Sequence, residues 1–136
     1  MNKNALEFGD AMGIEVAFSN IMTIDLTESA RMAWVSGQIA FNEENEIVGH
    51  GNMATQTEQC IKNIESALKA VGGTLDDIVK VIIFVTDMTD LKDIHNIRLK
   101  YFNKPYPTST LVKVAGFVNP NALIEIQADA VININK

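Results

Sequence analysis

Cysteine and histidine are scarce in this sequence. Cys60 is the only cysteine among 136 residues, so no intramolecular disulfide can form, and a reducing compartment is expected. The two histidines, His50 and His95, belong to no cluster of His and Cys, whereas a zinc site needs three or four ligands. The sequence therefore predicts no metal and no other cofactor, and a core that is stabilised by packing alone.

Basic residues are also few. The chain has 11 Lys and Arg against 17 Asp and Glu, which gives a formal net charge of −6. Nucleic acids and anionic membranes attract basic surfaces, so neither is expected as a partner. No apolar run approaches the length of a membrane span, and the first residues, MNKNALEFGDAMG, lack the apolar core of a secretory signal. We expect a cytoplasmic protein.

The composition, 47% hydrophobic and 21% charged, is typical of one globular domain over residues 1–136. Apolar residues recur along the chain with two different spacings, one typical of helices and one typical of strands. Helical spacing predicts a first helix from the N-cap Asn52 to Gly72-Gly73, with Cys60 in its apolar stripe, and a second over Leu91–Phe102. Alternation predicts strands at Ile14–Leu26 with a turn or bulge at Ser19-Asn20, Met32–Ser36, a hairpin of Ile39–Phe41 and Glu46–Val48, Val79–Thr86, Thr108–Ala115 and Leu123–Ile132.

The strand Val79–Thr86 is apolar on both faces. Val79, Val81, Ile83 and Val85 alternate on one face, and Ile82 and Phe84 on the other. A strand of this kind should be buried on both sides, yet two helices can cover only one face of the sheet. The sequence therefore predicts an α+β sheet whose second face is covered by another copy of the same chain.

Four segments carry a resemblance to a known family. They are VSGQIAFN at Val35–Asn42, DDIVKVIIFVTDMTDL at Asp76–Leu91, PTSTLVKVA at Pro107–Ala115 and LIEIQADAVI at Leu123–Ile132. Together they resemble the Rid/YjgF family (RidA-like, L-PSP endoribonuclease-like) over nearly the whole chain. The resemblance implies a chorismate-mutase-like fold, a mixed sheet with two helices on one face. It also implies a homotrimer with a small-molecule site at each subunit interface and 2-imino acid deaminase activity. Members are also described as endoribonucleases, an activity that the acidic charge disfavours.

The resemblance fails at the residue on which this deaminase chemistry depends. In deaminating members the strand after the second helix opens with Pro-Ala-Arg-Ser, and the arginine binds the carboxylate of the substrate. Here the motif is Pro107-Thr108-Ser109-Thr110, so Ser109 stands in place of the arginine. A serine offers one hydrogen bond and no charge, and each charge-assisted hydrogen bond that is lost removes roughly 1.5–3 kcal/mol.

The other site residues of the family match this sequence in part. Glu125 keeps the glutamate that holds the attacking water, and Gly37 keeps the glycine of the SGQ loop that lines the pocket. The family's tyrosine near the N-terminus is Phe18, so the ring is present without its hydroxyl. Its cysteine two residues beyond the arginine is Leu111, and its asparagine early on the inner face of the second helix is His95.

Strand alternation places these positions on faces of the sheet. Ser109 and Leu111 share one face of their strand, and Glu125 lies on one face of the next. Val112 and Val114, with Ile124, Ile126 and Ala128, look like the core on the opposite faces. The pattern therefore predicts that Ser109 and Glu125 both point to the subunit interface.

Three functions remain open at this stage. The first is a divergent enzyme that hydrolyses an enamine, imine or related small molecule, with Glu125 orienting water. The second is a trimer that binds a ligand or partner without catalysis. The third is the standard 2-imino acid deaminase, in which Arg98, Lys113 or a neighbouring subunit's copy of Arg31 replaces the missing cation. The simpler interpretation of Lys113 is a residue at the surface or at a subunit contact. The simpler interpretation of His95 is a residue that packs or forms a hydrogen bond near the interface.

Overall fold

The computed structural model describes residues 2–7, 10–11 and 14–135. Its elements are β1 (Lys3–Glu7), β2 (Asp10–Ala11), β3 (Ile14–Glu15), β4 (Ser19–Asp25), β5 (Ala30–Gln38), α1 (Met53–Lys69), a 3-10 helix (Leu75–Asp77), β6 (Ile78–Val85), α2 (Leu91–Tyr101), β7 (Thr108–Lys113) and β8 (Ile124–Asn133). The two predicted helices and the longer predicted strands are present, with ends that differ by a few residues. The predicted hairpin is reduced to one bridge between Phe41 and Ile47, and the predicted turn at Ser19-Asn20 is instead the start of β4.

Six strands form one mixed sheet in the order β1-β4-β5-β8-β6-β7, and β2 and β3 form a short separate ribbon. Neighbours in the sheet are antiparallel except β6 and β7, which run parallel and are joined through α2. A parallel pair needs such a crossover because a tight turn can only reverse the chain. This order puts Glu125 of β8 inside the sheet and Ser109 of β7 at its edge.

The first helix begins and ends where the sequence predicts. The Asn52 side-chain oxygen accepts a hydrogen bond from the Thr55 amide at 3.0 Å, which caps the N-terminus of α1. After the last turn Gly72 adopts φ 88°, and the Gly73 amide donates to the Leu68 carbonyl at 2.8 Å. Cys60 is fully buried in the apolar stripe, as predicted, and burial raises the pKa of its thiol.

Replacing the cap should destabilise the protein without touching the core. We expect Asn52→Ala to lower the free energy of unfolding by about 1 kcal/mol, because the Thr55 amide loses its acceptor. Urea unfolding at one fixed protein concentration measures this change. Asn96→Ala, an exposed change within α2, is the matched control and should leave the midpoint unchanged or slightly raised. Equal urea midpoints of unfolding for Asn52→Ala and wild type would contradict a stabilising role of this cap.

The two faces of the sheet differ in what covers them. Both helices pack on one face, where they enclose a core that includes Ile21, Ala33, Val35, Ile64, Val81, Ile83, Val85, Ile94, Ile124, Ile126, Ala128 and Ala130. No helix of the described residues packs on the other face, called the open face below. Its apolar residues, identified from the strand register, are Met22, Ile24, Met32, Trp34, Ile82, Phe84, Val112 and Val131.

Two details of the strands differ from the sequence prediction. Val79 was expected on the same face as Val81, but it is 47% exposed, because the register of β6 against β8 shifts between Ile78 and Lys80. Ile78 takes the core position instead. β1 was not predicted, since all five of its residues are exposed and its sequence KNALE does not alternate. In the described residues no helix is both long enough and apolar enough to cross a membrane.

Candidate functional site

A cavity of about 470 Å³ lies between α2 and β7 and is called the helix-side pocket. It is lined by His95, Arg98, Leu99, Phe102, Tyr106, Pro107, Ser109 and Leu111. The helical residues recur at spacings of three and four, which places them on one face of α2. The two strand residues alternate along β7 and so project to one side of the sheet. The pocket is thus a cleft between a helix and an edge strand, of a size typical for small-molecule sites.

Arg98 is the arginine of this largely apolar lining. Its side chain is half-buried, and burial lowers the pKa of its guanidinium. Among the described residues no carboxylate forms a salt bridge with Arg98, and no acceptor forms a hydrogen bond with its guanidinium. Arginine stays protonated in proteins, so Arg98 brings a positive charge to the pocket, and its guanidinium nitrogens reach solvent.

Ser109 and Glu125 lie on opposite faces of the sheet, so the prediction that both point the same way is wrong. Ser109 is paired with Val81, a core residue, whereas Glu125 is paired with Phe84 on the open face. Directly paired residues project to the same side, which fixes the two orientations. Val112, predicted to be core, is 39% exposed for the same reason. Ile124, Ile126 and Ala128 are buried as predicted.

A second cavity, the open-face groove, follows β4 and β5 on the other side. Its volume is about 510 Å³, and its lining includes Phe18, Ser19, Met22, Trp34, Ser36, Gly37, Gln127 and Asp129. The register of β5 against β8 shifts between Val35 and Gln38, and Gly37 lies within this bulge. A Cβ atom at Gly37 would lie 2.7 Å from Glu125 Cδ and 2.8 Å from Glu125 Oε2. The glycine therefore leaves room for the glutamate carboxyl beside the groove.

Glu125 is half-buried, and burial raises the pKa of its carboxyl. No described residue forms a salt bridge with it. Lys113 of the neighbouring region of the chain therefore forms no ion pair with Glu125. A carboxyl that holds its proton more tightly is a better base, and its two oxygens are free to bind a water molecule.

The three candidate replacements for the lost arginine differ in their surroundings. Arg31 is paired with Asp25 at 2.6 Å and also donates to the Val71 carbonyl at 3.0 Å. Lys113 is one pleat beyond Leu111 on β7 and is not part of the pocket lining. Only Arg98, of these three, lines the same cavity as Ser109.

The candidate residues therefore form two groups on one chain. His95, Ser109 and Leu111 line the helix-side pocket, and Phe18, Gly37 and Glu125 lie at the open-face groove. Sequence reasoning missed the apolar wall of the pocket, which Leu99, Phe102 and Tyr106 provide. The spacing of 95, 98, 99 and 102 on α2 is the signal that could have found it. Among the described residues no three of His, Cys, Asp and Glu converge as metal ligands.

Comparison with known proteins identifies the class to which this fold and these residues belong. The family model described as endoribonuclease L-PSP matches residues 11–132. The 3-aminoacrylate deaminase RutC of Acinetobacter baylyi is 34% identical over 107 residues, which cover 79% of this chain and 84% of that protein. A candidate regulator, AldR of Lactococcus lactis, is 39% identical over 100 residues, or 73% of this chain and 78% of that protein.

A solved structure agrees with the sequence comparison. Rv2704 of Mycobacterium tuberculosis, a member of the YjgF/YER057c/UK114 family, superimposes with a TM-score of 0.81 at 27% identity and covers 96% of this chain and 100% of its own. The chain belongs to the Rid/YjgF family, whose family model is that of endoribonuclease L-PSP. Its fold is the mixed sheet with two helices that the sequence predicts.

Proposed function

We propose that the protein hydrolyses the C–N bond of a small enamine or imine and releases ammonia. The observation that carries the proposal is the arrangement of Gly37 and Glu125. The half-buried carboxyl of Glu125 has no cationic partner among the described residues, and it lies against the backbone of a glycine. A deaminase among the relatives, RutC, acts on an enamine according to its name. The arrangement suits the addition of water to such a substrate.

The proposed reaction needs one water and one base. An enamine takes up a proton from water at carbon to give the iminium ion, and water then adds to the iminium carbon as one O–H proton passes to the Glu125 carboxylate. That proton is delivered to nitrogen, the C–N bond breaks, and the remaining hydroxyl proton is lost to solvent, so the products are a carbonyl compound and ammonia. The raised pKa of Glu125 supports its role as the proton carrier, because a base is most effective when its pKa lies closer to the working pH.

We further propose that the site is completed by two subunits of a homotrimer. The helix-side pocket and Glu125 lie on opposite faces of one sheet, so one chain cannot present both to one small molecule. The open face is rich in apolar side chains, including Trp34, which is 37% exposed. Packing of that face against a neighbouring copy would bury these side chains and bring the neighbour's pocket toward the groove.

A second candidate function is ligand binding without turnover. Ser109 in place of arginine and Phe18 in place of tyrosine remove a charge and a hydroxyl that the family's deaminases use. One relative, AldR, has the name of a regulator and not of an enzyme. A binding protein of this kind would release no ammonia, and its melting temperature would rise with ligand.

Ammonia release from freshly generated 3-aminoacrylate, 2-aminoacrylate and 2-iminobutyrate tests the proposal. We expect wild type to accelerate release well above buffer, and Glu125→Gln to reduce kcat by roughly 100-fold or more, because the base is lost. Glu65→Gln, an exposed change on α1, is the matched control and should remain fully active. Size-exclusion chromatography with light scattering should show the same oligomer for all three proteins.

The outcomes separate the two functions. If wild type is no faster than buffer with all three substrates, the enzymatic proposal fails, and ligand-induced stabilisation then supports the binding protein. If Glu125→Gln keeps full activity, the reaction proceeds without the proposed base and this mechanism is contradicted.

A further inference from the structure

We infer that a third cavity, called the amide cleft, binds a neutral small molecule that carries a carboxamide or lactam group on an apolar ring. The inference goes beyond the proposed function and does not depend on it. Among the described residues, none that lines the amide cleft also lines the helix-side pocket or the open-face groove. The groups that would recognise the ligand are side-chain amides.

The amide cleft lies between α1 and the strands β1, β4 and β5, and its volume of about 370 Å³ is typical of small-molecule sites. Positions 63, 66, 67 and 70 of its lining recur at helical spacing, so they share one face at the C-terminal end of α1. Five side-chain amides line the cleft, those of Asn20, Gln38, Asn42, Asn45 and Asn63. A cavity lined in this way offers both donors and acceptors of hydrogen bonds.

The charge of the lining selects against an anion. Among the described residues no lysine or arginine lines the cleft, whereas Glu7 contributes a carboxylate. An anion would be repelled by this carboxylate and would find no cation to compensate its charge. Because Glu7 is exposed, it would also attract a cation only weakly. A neutral ligand therefore fits the lining best.

Gln38 supplies an acceptor within the cleft. Its side chain is only 7% exposed, and its amide nitrogen donates to Asn20 Oδ1 and to the Ser36 carbonyl, both at 2.9 Å. Its oxygen accepts no hydrogen bond from the described residues. No side-chain oxygen of the described residues is both buried and unpaired, so Gln38 Oε1 is open to the cleft. An N–H group of a ligand would give this carbonyl its partner.

Asn20 supplies the matching donor. Its oxygen already accepts from Gln38, and this contact leaves the N–H groups of Asn20 Nδ2 for a ligand. A carboxamide or lactam has an N–H and a carbonyl side by side, so it can donate to Gln38 Oε1 while it accepts from Asn20 Nδ2. A carboxylate has no N–H to donate, and neither has a ketone. The amide pair therefore distinguishes these three groups.

Further hydrogen bonds hold the cleft in shape. Asn63 donates to the carbonyls of Ile39 and Phe41 at 3.1 and 3.0 Å, which ties α1 to the chain beyond β5. The Asn42 side-chain oxygen accepts from two backbone amides of its own turn, both at 3.0 Å, so its nitrogen can serve as a second donor. Side chains that are already oriented lose little conformational freedom when a ligand binds.

The apolar part of the lining defines the rest of the ligand. Leu6, Phe41, Ala67 and Ala70 contribute it. The two alanines are short and leave room beside α1, and Leu6 is 42% exposed, so a ring that covers it would remove apolar surface from water. An amide attached to a ring, or contained in one, combines both kinds of contact.

Titration of the isotope-labelled protein with benzamide, followed by proton–nitrogen correlation NMR, tests the inference. We expect the side-chain amide signals of Asn20 and Gln38 to shift, and the backbone signals of His95 and Ser109 in the helix-side pocket to stay in place. Benzoate and acetophenone have the same ring but no N–H, and benzoate is also an anion. Each should bind about tenfold more weakly or worse, because a site built to accept from an N–H discriminates against ligands that lack it.

Asn20→Asp removes the donor and keeps the oxygen that accepts from Gln38, so the cleft should keep its shape. We expect the dissociation constant of benzamide to rise about tenfold, because an N–H is replaced by an oxygen that repels the ligand carbonyl. Asn96→Asp, the same change at an exposed position of α2, is the matched control and should alter this constant less than about twofold. Ala70→Trp, which fills the cleft from an exposed position at the end of α1, should abolish the shifts of Asn20 and Gln38.

Three results would overturn the inference. They are benzamide shifts confined to the helix-side pocket or the open-face groove, equal affinity for benzamide and benzoate, and unchanged benzamide binding by Asn20→Asp at a wild-type melting temperature. None of these measurements depends on ammonia release. A protein that binds benzamide in the cleft and releases no ammonia would refute the proposed function alone, and an active protein with an empty cleft would refute this inference alone.

Discussion

Gly37→Ala is expected to inactivate the protein and leave it folded. The new Cβ atom would lie 2.7 Å from Glu125 Cδ and 2.8 Å from Glu125 Oε2, distances that force the carboxyl to move. The carboxyl is the end of a flexible side chain, and Gly37 is outside the positive-φ glycines, so the backbone can keep its path. Displacement of a catalytic group by about 1 Å can cost on the order of 100-fold in rate, and we expect a loss of that size.

The measurement is ammonia release together with the melting temperature. Gly116→Ala is the matched control, since nothing lies within 4 Å of the Cβ atom that it adds, and it should keep wild-type activity. Full activity of Gly37→Ala would show that the position of Glu125 against the bulge of β5 is unimportant.

Ile82→Glu is expected to prevent assembly and with it activity. Ile82 is in the middle of the open face, where its strand neighbours are Thr110 and Gln127. In a single chain the new carboxylate reaches water, so the fold should survive. In an assembled trimer it would be buried without a cation, a cost of several kcal/mol for each subunit. Light scattering should therefore give the mass of one chain, and ammonia release should fall to the rate of buffer.

Leu26→Glu provides the control for a charge on an exposed apolar residue outside the sheet. Leu26 is 47% exposed in the turn between β4 and β5, and its replacement should leave the oligomer and the activity unchanged. An Ile82→Glu protein that stays trimeric would mean that the open face is not the surface between subunits.

Local signals in the sequence were sufficient for most of the fold. Each of three local features predicts one local structure: Asn52 caps a helix, Gly72 adopts a left-handed conformation, and the alternation in β8 gives a half-buried strand. The spacing of Thr74 and Asp77 likewise gives a capping box at the short 3-10 helix. These signals depend on residues within one turn or one strand, so they can be recognised in the sequence without the tertiary structure.

The orientation of the site could not be predicted in the same way. β7 is an edge strand with the sequence TSTLVK, which has apolar and polar residues on both faces. Its facing is set by its pairing with β6, in which Ser109 is opposite Val81. The bulge that displaces Val79 is also a matter of pairing between strands. The unpaired state of Arg98 depends on what α2 packs against, which no local pattern shows.

Subunit mixing tests the central claim, that two chains complete one site, most directly. Glu125→Gln removes the proposed base, and Ser109→Trp fills the helix-side pocket, so each variant alone should be inactive. In randomly mixed trimers of the two, about a quarter of the sites would combine an intact Glu125 with an intact pocket of the neighbour. The account predicts recovery of about a quarter of wild-type ammonia release. No recovery in trimers shown to be mixed would contradict it.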